Sequence, residues 1–518
     1  MKKITFLFSN KILNVVGYSM LALSPLWWDI LNITTKAEYQ YYLTGNIGLN
    51  TYAAYTISTL FAITIVYYIL EITSKTSKKI KTIILGTGIL LLYWQITKTI
   101  NIHNGRIVVV LIIFFAIILN KYIYEYLRKA SCILLFSSAL LPMVTLQLFY
   151  YNYIVNSNTK NTINPTTTTK TTNNETAIQN TIANNGHKII VLVFDELDYY
   201  HVFENPSPNL NIKNFKKFES ISIVFKNTYS PSNSTLLSIP SIIDGYPYSS
   251  ALPKDGSTLE LTTKSKQVQK WGDSENIFDD AINAGYKVSI AGWTHPYCRA
   301  LQGRYDECKS YSDEYLNSDG NIFKTTLYML GHTFSPSNDC FTGGGIYSHK
   351  YFHRKALEDI SNDSKNMINK NYNQLIYLHI PVPHGPFIGK TIINLDNCLN
   401  NSNKYFGNVE LANDYLGEII GTLDNNEDSW NKSTIIITAD HWWRSSEAYS
   451  GKTDQRVPLL IKLRNQKKSL TTSLKYNNIN IRSILRKIYS NNEMEPQELL
   501  YNIQKEAIDI KHPIIVKF

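Results

Sequence analysis

Cysteine is scarce, with five residues in a chain of 518. No cysteine pair has zinc-finger spacing, so a structural zinc module is not expected. No run of lysine and arginine occurs, and aromatic residues do not alternate with basic ones. The net charge of +10 is spread along the chain, and no nucleic-acid surface is expected. No internal repeat is visible, so no repeat architecture is expected. What the sequence does contain divides into two unlike parts. At 518 residues it is also too long for one ordinary domain.

The first part is strongly apolar. Five segments, near 11–32, 52–73, 80–99, 107–127 and 131–154, each reach the roughly 20 residues that span a bilayer. The first has no small-residue cleavage site and reads as an uncleaved anchor. Trp27 and Trp28 near its end suit an interface. Lys2 and Lys3, then Lys75, Lys78, Lys79 and Lys81, then Lys121, Arg128 and Lys129 occupy alternate loops. The other loops hold only Lys36, Lys98 and Arg106. This asymmetry predicts a cytoplasmic N-terminus and five crossings, with all that follows on the outer side. The expected organisation is a transmembrane domain over 1–155 and a Thr/Asn-rich linker over 156–186. An exported domain over 187–518 follows. The expected location is a bacterial inner membrane, multi-pass, with that domain on the periplasmic side. Four cysteines fall in it, and an oxidising compartment favours disulfides. The local pair Cys298–Cys308 is expected and leaves Cys340–Cys398, although spacing does not fix the connectivity.

From residue 187 the pattern changes to short, wholly apolar, β-branched runs: Lys188–Phe194, Lys287–Ala291, Leu375–Ile380 and Ser433–Thr438. Runs apolar on both faces suit buried parallel strands covered by helices. Helical patterns over 275–285, 408–423 and 480–489 supply the cover. The expectation is an α/β domain with a mainly parallel central sheet. Ligands of such sheets bind beyond the carboxyl ends of the strands. There the chain places Asp195 and Glu196, then Trp293, Thr294 and His295, then His379 to Pro386, then Asp440 and His441. Mixed carboxylate and imidazole donors suit one divalent metal, zinc or manganese.

One further stretch, 229–245, runs from Tyr229-Ser230-Pro231 through Ser234-Thr235 to Gly245. It predicts a helix capped by Ser234 or Asn233, with Thr235 in its first turn and Gly245 as a left-handed end. A hydroxyl at a helix start lies where free N–H groups favour negative charge. Each feature also has an ordinary reading: Asp195-Glu196 as helix caps, His384 as a loop histidine, Asp440-His441 as a surface turn. Their ordered coincidence argues for one site.

VLVFDEL, STLLSIPSIIDG, HIPVPHGPF and TIIITADH together resemble the sulfatase-like branch of the alkaline phosphatase superfamily, along roughly 187–465. With the apolar first part, the chain resembles phosphoethanolamine and phosphoglycerol transferases of that branch. The resemblance implies an alkaline-phosphatase-like fold. It implies Glu196, with Asp195 as partner, plus Thr235, Asp440 and His441 as metal ligands. Thr235 would be the nucleophile, which a divalent metal would activate. His384 would bind the transferred group or assist the leaving group, and Lys452 would contact the anion unless it is an ordinary loop lysine. The implied reaction moves a headgroup from a membrane phospholipid donor to a lipid or glycan acceptor. The alternatives are hydrolysis of a phosphodiester or sulfate ester, and a catalytically inactive membrane-anchored binding or assembly protein. Two features depart from the family pattern. Trp442, Trp443 and Arg444 follow His441 where glycine is usual, and bulky rings there would narrow or cover the pocket. No cysteine stands in the nucleophile stretch, so a formylglycine route is closed if Thr235 is the nucleophile.

Overall fold

The computed structural model describes Ser19 and residues 37–43, 49–74, 186–312, 321–334, 349–389, 401–425, 427–446, 448, 451–504 and 513–516. Its centre is strand β1 (Lys188–Asp195), which is buried along its whole length. The other strands are β2 (Ile223–Tyr229), β3 (Tyr248–Pro253), β4 (Leu259–Thr263), β5 (Val268–Lys270), β6 (Lys287–Trp293), β7 (Glu307–Tyr311), β8 (Gln374–Pro383), β9 (Ser433–Ala439), β10 (Leu459–Lys462) and β11 (Leu470–Asn477). Eight form one sheet in the order β11-β2-β10-β9-β1-β8-β6-β7, and β3, β4 and β5 form a small separate one. β1 pairs in parallel with both β8 and β9. Within the described eight-stranded sheet only β10 runs antiparallel, against β9 and β2, whereas the small sheet is antiparallel throughout.

Side chains along β1 alternate between two apolar layers, as the two-residue period of a strand requires. Ile189, Val191 and Val193 face one layer, while Ile190, Leu192 and Phe194 face the other. Truncating a fully buried residue such as Leu192 to alanine costs about 2–5 kcal/mol. The four expected strands all form. β8 runs three residues past the expected end, through Pro381 and Pro383. Prolines are poor central-strand residues because they donate no ladder hydrogen bond. Here the register against β1 shifts between Phe194 and Asp195, so that Asp195 stands opposite Pro383.

The first part of the chain does not meet expectation. Among the described residues no helix is long and apolar enough to cross a membrane. That overturns the five-helix transmembrane anchor, and with it the multi-pass inner-membrane location. The segment expected at 52–73 lies in the helix Leu49–Ser74. Thr51, Thr56, Ser58, Thr59, Thr64 and Glu71 dilute its apolar residues. Two of these hydroxyls are satisfied within the helix, with Ser58 donating to Ala54 O and Thr64 to Leu60 O. The helix packs against the helix Ile322–Phe334 of the α/β part. The segments at 80–99, 107–127 and 131–154 lie outside the described residues, as do 11–32 apart from Ser19 and the linker 156–186 apart from Gly186. Cys298 and Cys308 form a disulfide with Cα atoms 5.6 Å apart; Cys340 and Cys398 lie outside the described residues.

His187, just before β1, is fully buried between the Tyr286 hydroxyl at 2.8 Å and Thr434 Oγ1 at 3.1 Å. Burial, helped by Arg464 and Lys462, pushes its pKa down to about 4. The folded protein therefore keeps His187 neutral while the unfolded chain protonates it near 6.5. Its stabilising contribution is complete above pH 6.5 and is lost as pH falls towards 4, by up to about 3 kcal/mol. In denaturant titrations across that window, His187→Gln is expected to lose stability less steeply than wild type. Parallel pH curves would refute the assignment.

Candidate active site

The parallel register of β1 and β9 sets Phe194 beside Ala439, so the next residues, Asp195 and Asp440, emerge side by side. Between β2 and β3 the chain forms the helix Thr235–Asp244. Ser234 is its extended N-cap, and Gly245 ends it at φ 67. A side chain at Gly245 would be strained by that φ and would meet Arg482 Cβ at 2.9 Å. This helix points the half-buried Thr235 at the two aspartates.

Asp195, Asp440 and His441 form a buried group that could hold a metal ion, with ligand atoms within 4.8 Å of one another. Thr235 Oγ1 lies 3.4 Å from Asp195 Oδ2 and 3.3 Å from His441 Nε2. His441 Nε2 is 3.6 Å from Asp195 and 3.4 Å from Asp440. His441 Nδ1 faces the Trp442 carbonyl at 2.9 Å and must donate to it. That fixes the tautomer and turns the Nε2 lone pair into the group, as a ligand imidazole requires.

Three buried atoms here have no hydrogen-bond partner: Asp195 Oδ1, Asp440 Oδ2 and His379 Nε2. Leaving such atoms unpaired is costly. His379 Nδ1 lies 2.8 Å from the Tyr297 hydroxyl and 3.0 Å from the Trp293 carbonyl; with its hydrogen donated to that carbonyl, Nε2 presents a lone pair 3.8 Å from Asp195 Oδ2. Two acceptors facing each other at that distance fit a cation between or beside them. This oxygen–nitrogen donor set fits a divalent metal of the zinc or manganese type.

The electrostatics follow from crowding. Burial, then the Asp440 and Glu196 charges, push Asp195 well above the usual carboxylate range. Burial acts the same way on Asp440, but the His441 and His379 imidazoles and the Thr235 hydroxyl outweigh it and hold Asp440 low. Asp440 Oδ1 also accepts the backbone N–H groups of Glu196 and His441 at 3.0 and 2.7 Å. Without a cation, the proton of this pair therefore resides on Asp195. Burial lowers His379 to about 4 and His295 to about 3, so both are neutral.

Glu196, expected with Asp195 as a metal ligand, stands outside the group of Asp195, Asp440 and His441. It adopts φ 68, a left-handed conformation that costs a glutamate about 1–3 kcal/mol. Its carboxylate accepts from Arg444 Nε at 3.0 Å. Arg444 in turn donates to His384 Nε2 at 3.0 Å, and His384 Nδ1 donates to the Gly385 carbonyl at 2.5 Å. The three form one half-buried network beside the aspartates. Lys452 is exposed, in a short bridge with Ala448.

Trp442 and Trp443 do not cover the site, contrary to expectation. Both are 3% exposed and belong to the apolar layer. Trp443 stacks on Tyr405 at 4.0 Å, and the Tyr405 hydroxyl donates to the Glu196 carbonyl at 2.8 Å. The rings therefore brace the β1 turn from behind.

Residues 187–488, more than half of the chain, match the Sulfatase family model. The chain belongs to the sulfatase family. It is thus an enzyme of the alkaline phosphatase superfamily. A search of curated proteins finds no match. Solved structures similar to this sulfatase-family chain include Ps i-CgsB in complex with k-i-k-neocarrahexaose (16% identity, 62% of this chain, 76% of that chain, TM-score 0.43). They also include the phosphonate monoester hydrolase of Agrobacterium radiobacter (12% identity, 59% and 74%, TM-score 0.41). A 2-O GAG sulfatase is a third (12% identity, 59% and 70%, TM-score 0.39).

Two residues of this sulfatase-family site were named in the sequence without a role of their own. His379 lies inside β8 rather than after it, and Arg444 follows two tryptophans that drew attention to themselves. In calorimetric titration with zinc or manganese, Asp440→Asn and His441→Ala are each expected to weaken binding by about 100-fold or more. Glu196→Gln is expected to weaken it by about tenfold, as a supporting residue would. Equal losses would return Glu196 to the ligand set.

Proposed function

We propose that this domain is a metal-dependent hydrolase of phosphodiesters and related phosphate or sulfate esters, acting through Thr235 as a covalent nucleophile. The observation that carries the reading is the placement of Thr235 Oγ1 at a helix start, within 3.4 Å of both Asp195 and His441. When bound, a divalent zinc or manganese ion would lower the hydroxyl pKa and polarise an ester oxygen. Asp195, Asp440 and His441 would hold it, with Glu196 as a further candidate.

The chain's own residues do the rest. Thr235 Oγ1 bonds to phosphorus, its proton passes to Asp195 Oδ2, which is ionised once a cation is held, and the bond to the leaving oxygen breaks as that oxygen takes a proton from water. The first-turn N–H groups and Arg444 offset charge on the other oxygens. His384 is positioned by Arg444 on one ring nitrogen and the Gly385 carbonyl on the other. It would reach the leaving group, and later the acceptor, through Nε2 once Arg444 turns to the substrate. Lys452 is a second candidate anion contact.

Water completing the cycle gives hydrolysis. A hydroxyl acceptor gives transfer, for example of a phospholipid headgroup to a lipid or glycan. The absence of cysteine in 229–245 supports this second reading. A phosphothreonine has no carbonyl-hydrate route of self-release and so persists until an acceptor reaches it.

The test uses the metal-loaded chain with bis(4-nitrophenyl) phosphate, 4-nitrophenyl sulfate and a phospholipid. Thr235→Ala is expected to lose activity by about 1,000-fold or more, and Thr235→Ser by about tenfold. Intact mass should show an adduct on wild type that Thr235→Ala lacks. Full activity in Thr235→Ala would overturn the proposal. Free headgroup as product selects hydrolysis, and a modified alcohol selects transfer.

A further inference from the structure

The backbone of Thr235 is held by His295, and His295 in turn by a residue outside the sulfatase-family segment. His295 follows β6 and is fully buried, with Nε2 3.1 Å from the Thr235 carbonyl oxygen. A carbonyl only accepts, so Nε2 carries the hydrogen. Nδ1 of that tautomer is a bare acceptor in a dry setting and needs a donor. That donor is the Tyr41 hydroxyl, 2.9 Å away and 254 positions earlier in the chain.

Tyr41 is held firmly in place. It lies in the helix Ala37–Tyr42 and is wholly buried. Arg299 donates to the carbonyls of Tyr41, at 3.2 Å, and of Leu43, and through Nε to Gly256 O at 2.8 Å. Trp271 meets the His295 ring edge-on at 5.0 Å and Tyr297 at 5.7 Å, which leaves the imidazole little freedom. A hydrogen-bonded line thus runs from Tyr41 through His295 to the peptide of Thr235.

We propose that Tyr41 is a positioning residue for the nucleophile. Its hydroxyl fixes His295 as the Nε2–H tautomer, and that N–H fixes the Thr235 carbonyl and hence the direction of Oγ1. The segment 37–43 thereby completes the active site, which the family-matched residues 187–488 alone would leave one hydrogen bond short. The proposal rests on the reading of Thr235 as nucleophile.

The test uses the full chain loaded with zinc or manganese and bis(4-nitrophenyl) phosphate as probe. Tyr41→Phe keeps the ring and removes only the hydroxyl. It is expected to lower kcat by about tenfold to 100-fold, the scale on which small misplacements act, with KM within about twofold. His295→Gln retains a donor for Thr235 and an acceptor for Tyr41, and is expected to keep more activity than His295→Leu. Independently of any variant, 15N-histidine NMR of the wild-type chain should show His295 as Nε2–H. An Nδ1–H signal would overturn the proposal, even if Tyr41→Phe failed to fold. So would a folded Tyr41→Phe with wild-type kcat while Thr235→Ala is inactive. Wild-type activity in Thr235→Ala would instead remove the nucleophile reading on which this one stands.

Discussion

Two carboxylates emerging side by side from adjacent parallel strands set the terms for everything around them. Asp195 and Asp440 belong to a buried group whose ligand atoms lie within 4.8 Å. At that separation two full charges repel by roughly 3 kcal/mol even at an effective dielectric of 20. The sheet register imposes this, since β1 and β9 pair without a shift through Phe194 and Ala439. The surrounding structure answers the repulsion unequally. Asp440 receives two backbone N–H groups and faces two imidazoles, whereas Asp195 receives the Thr235 hydroxyl at long range. One carboxylate is therefore held ionised and the other is pushed towards its neutral form.

The outer layer of the site serves the same pair. Donation of the Glu196 N–H to Asp440 follows from the left-handed φ of Glu196. That conformation persists because its carbonyl is tied to Tyr405 and its carboxylate to Arg444. Tyr405 is in turn fixed by stacking on Trp443. Strain at one residue is thus distributed over an aromatic stack and an ion pair, and the same contacts leave the Glu196 side chain committed to Arg444.

Much of this was legible in the sequence, for a physical reason. Strands buried on both faces announce themselves by unbroken β-branched runs, and an α/β sheet gathers its ligands at the strand ends. Asp195, Asp440, His441 and Thr235 could be placed together on those grounds. His379 stood in the same strand-end set but with no role of its own, because the prolines after it implied a loop; the register shift opposite Asp195 lets β8 carry them. Trp442 and Trp443 misled because bulk was read without direction; the turn after β9 sends both rings into the apolar layer. Hydropathy misled in the first part, where threonine and tyrosine interleave with apolar residues in 49–74. Tyr41 carried no local signal at all. Its role depends on a contact across 254 positions, and no short pattern encodes a partner at that range.

Charge balance decides what such a site can accept. Three acidic side chains, Asp195, Glu196 and Asp440, meet one guanidinium, Arg444, and the proton on Asp195 leaves a net charge near −1. An anionic ester would be repelled from that mouth. A divalent cation replacing the single proton changes the balance by one further positive charge and brings the group close to neutral. Arg444 would then act on an incoming anion without a net negative field behind it. The crowding that makes Asp195 hard to ionise alone is thus the same feature that suits the group to hold a cation. The proposed ester-cleaving role and the proposed cation thus trace, in this geometry, to one pair of strands.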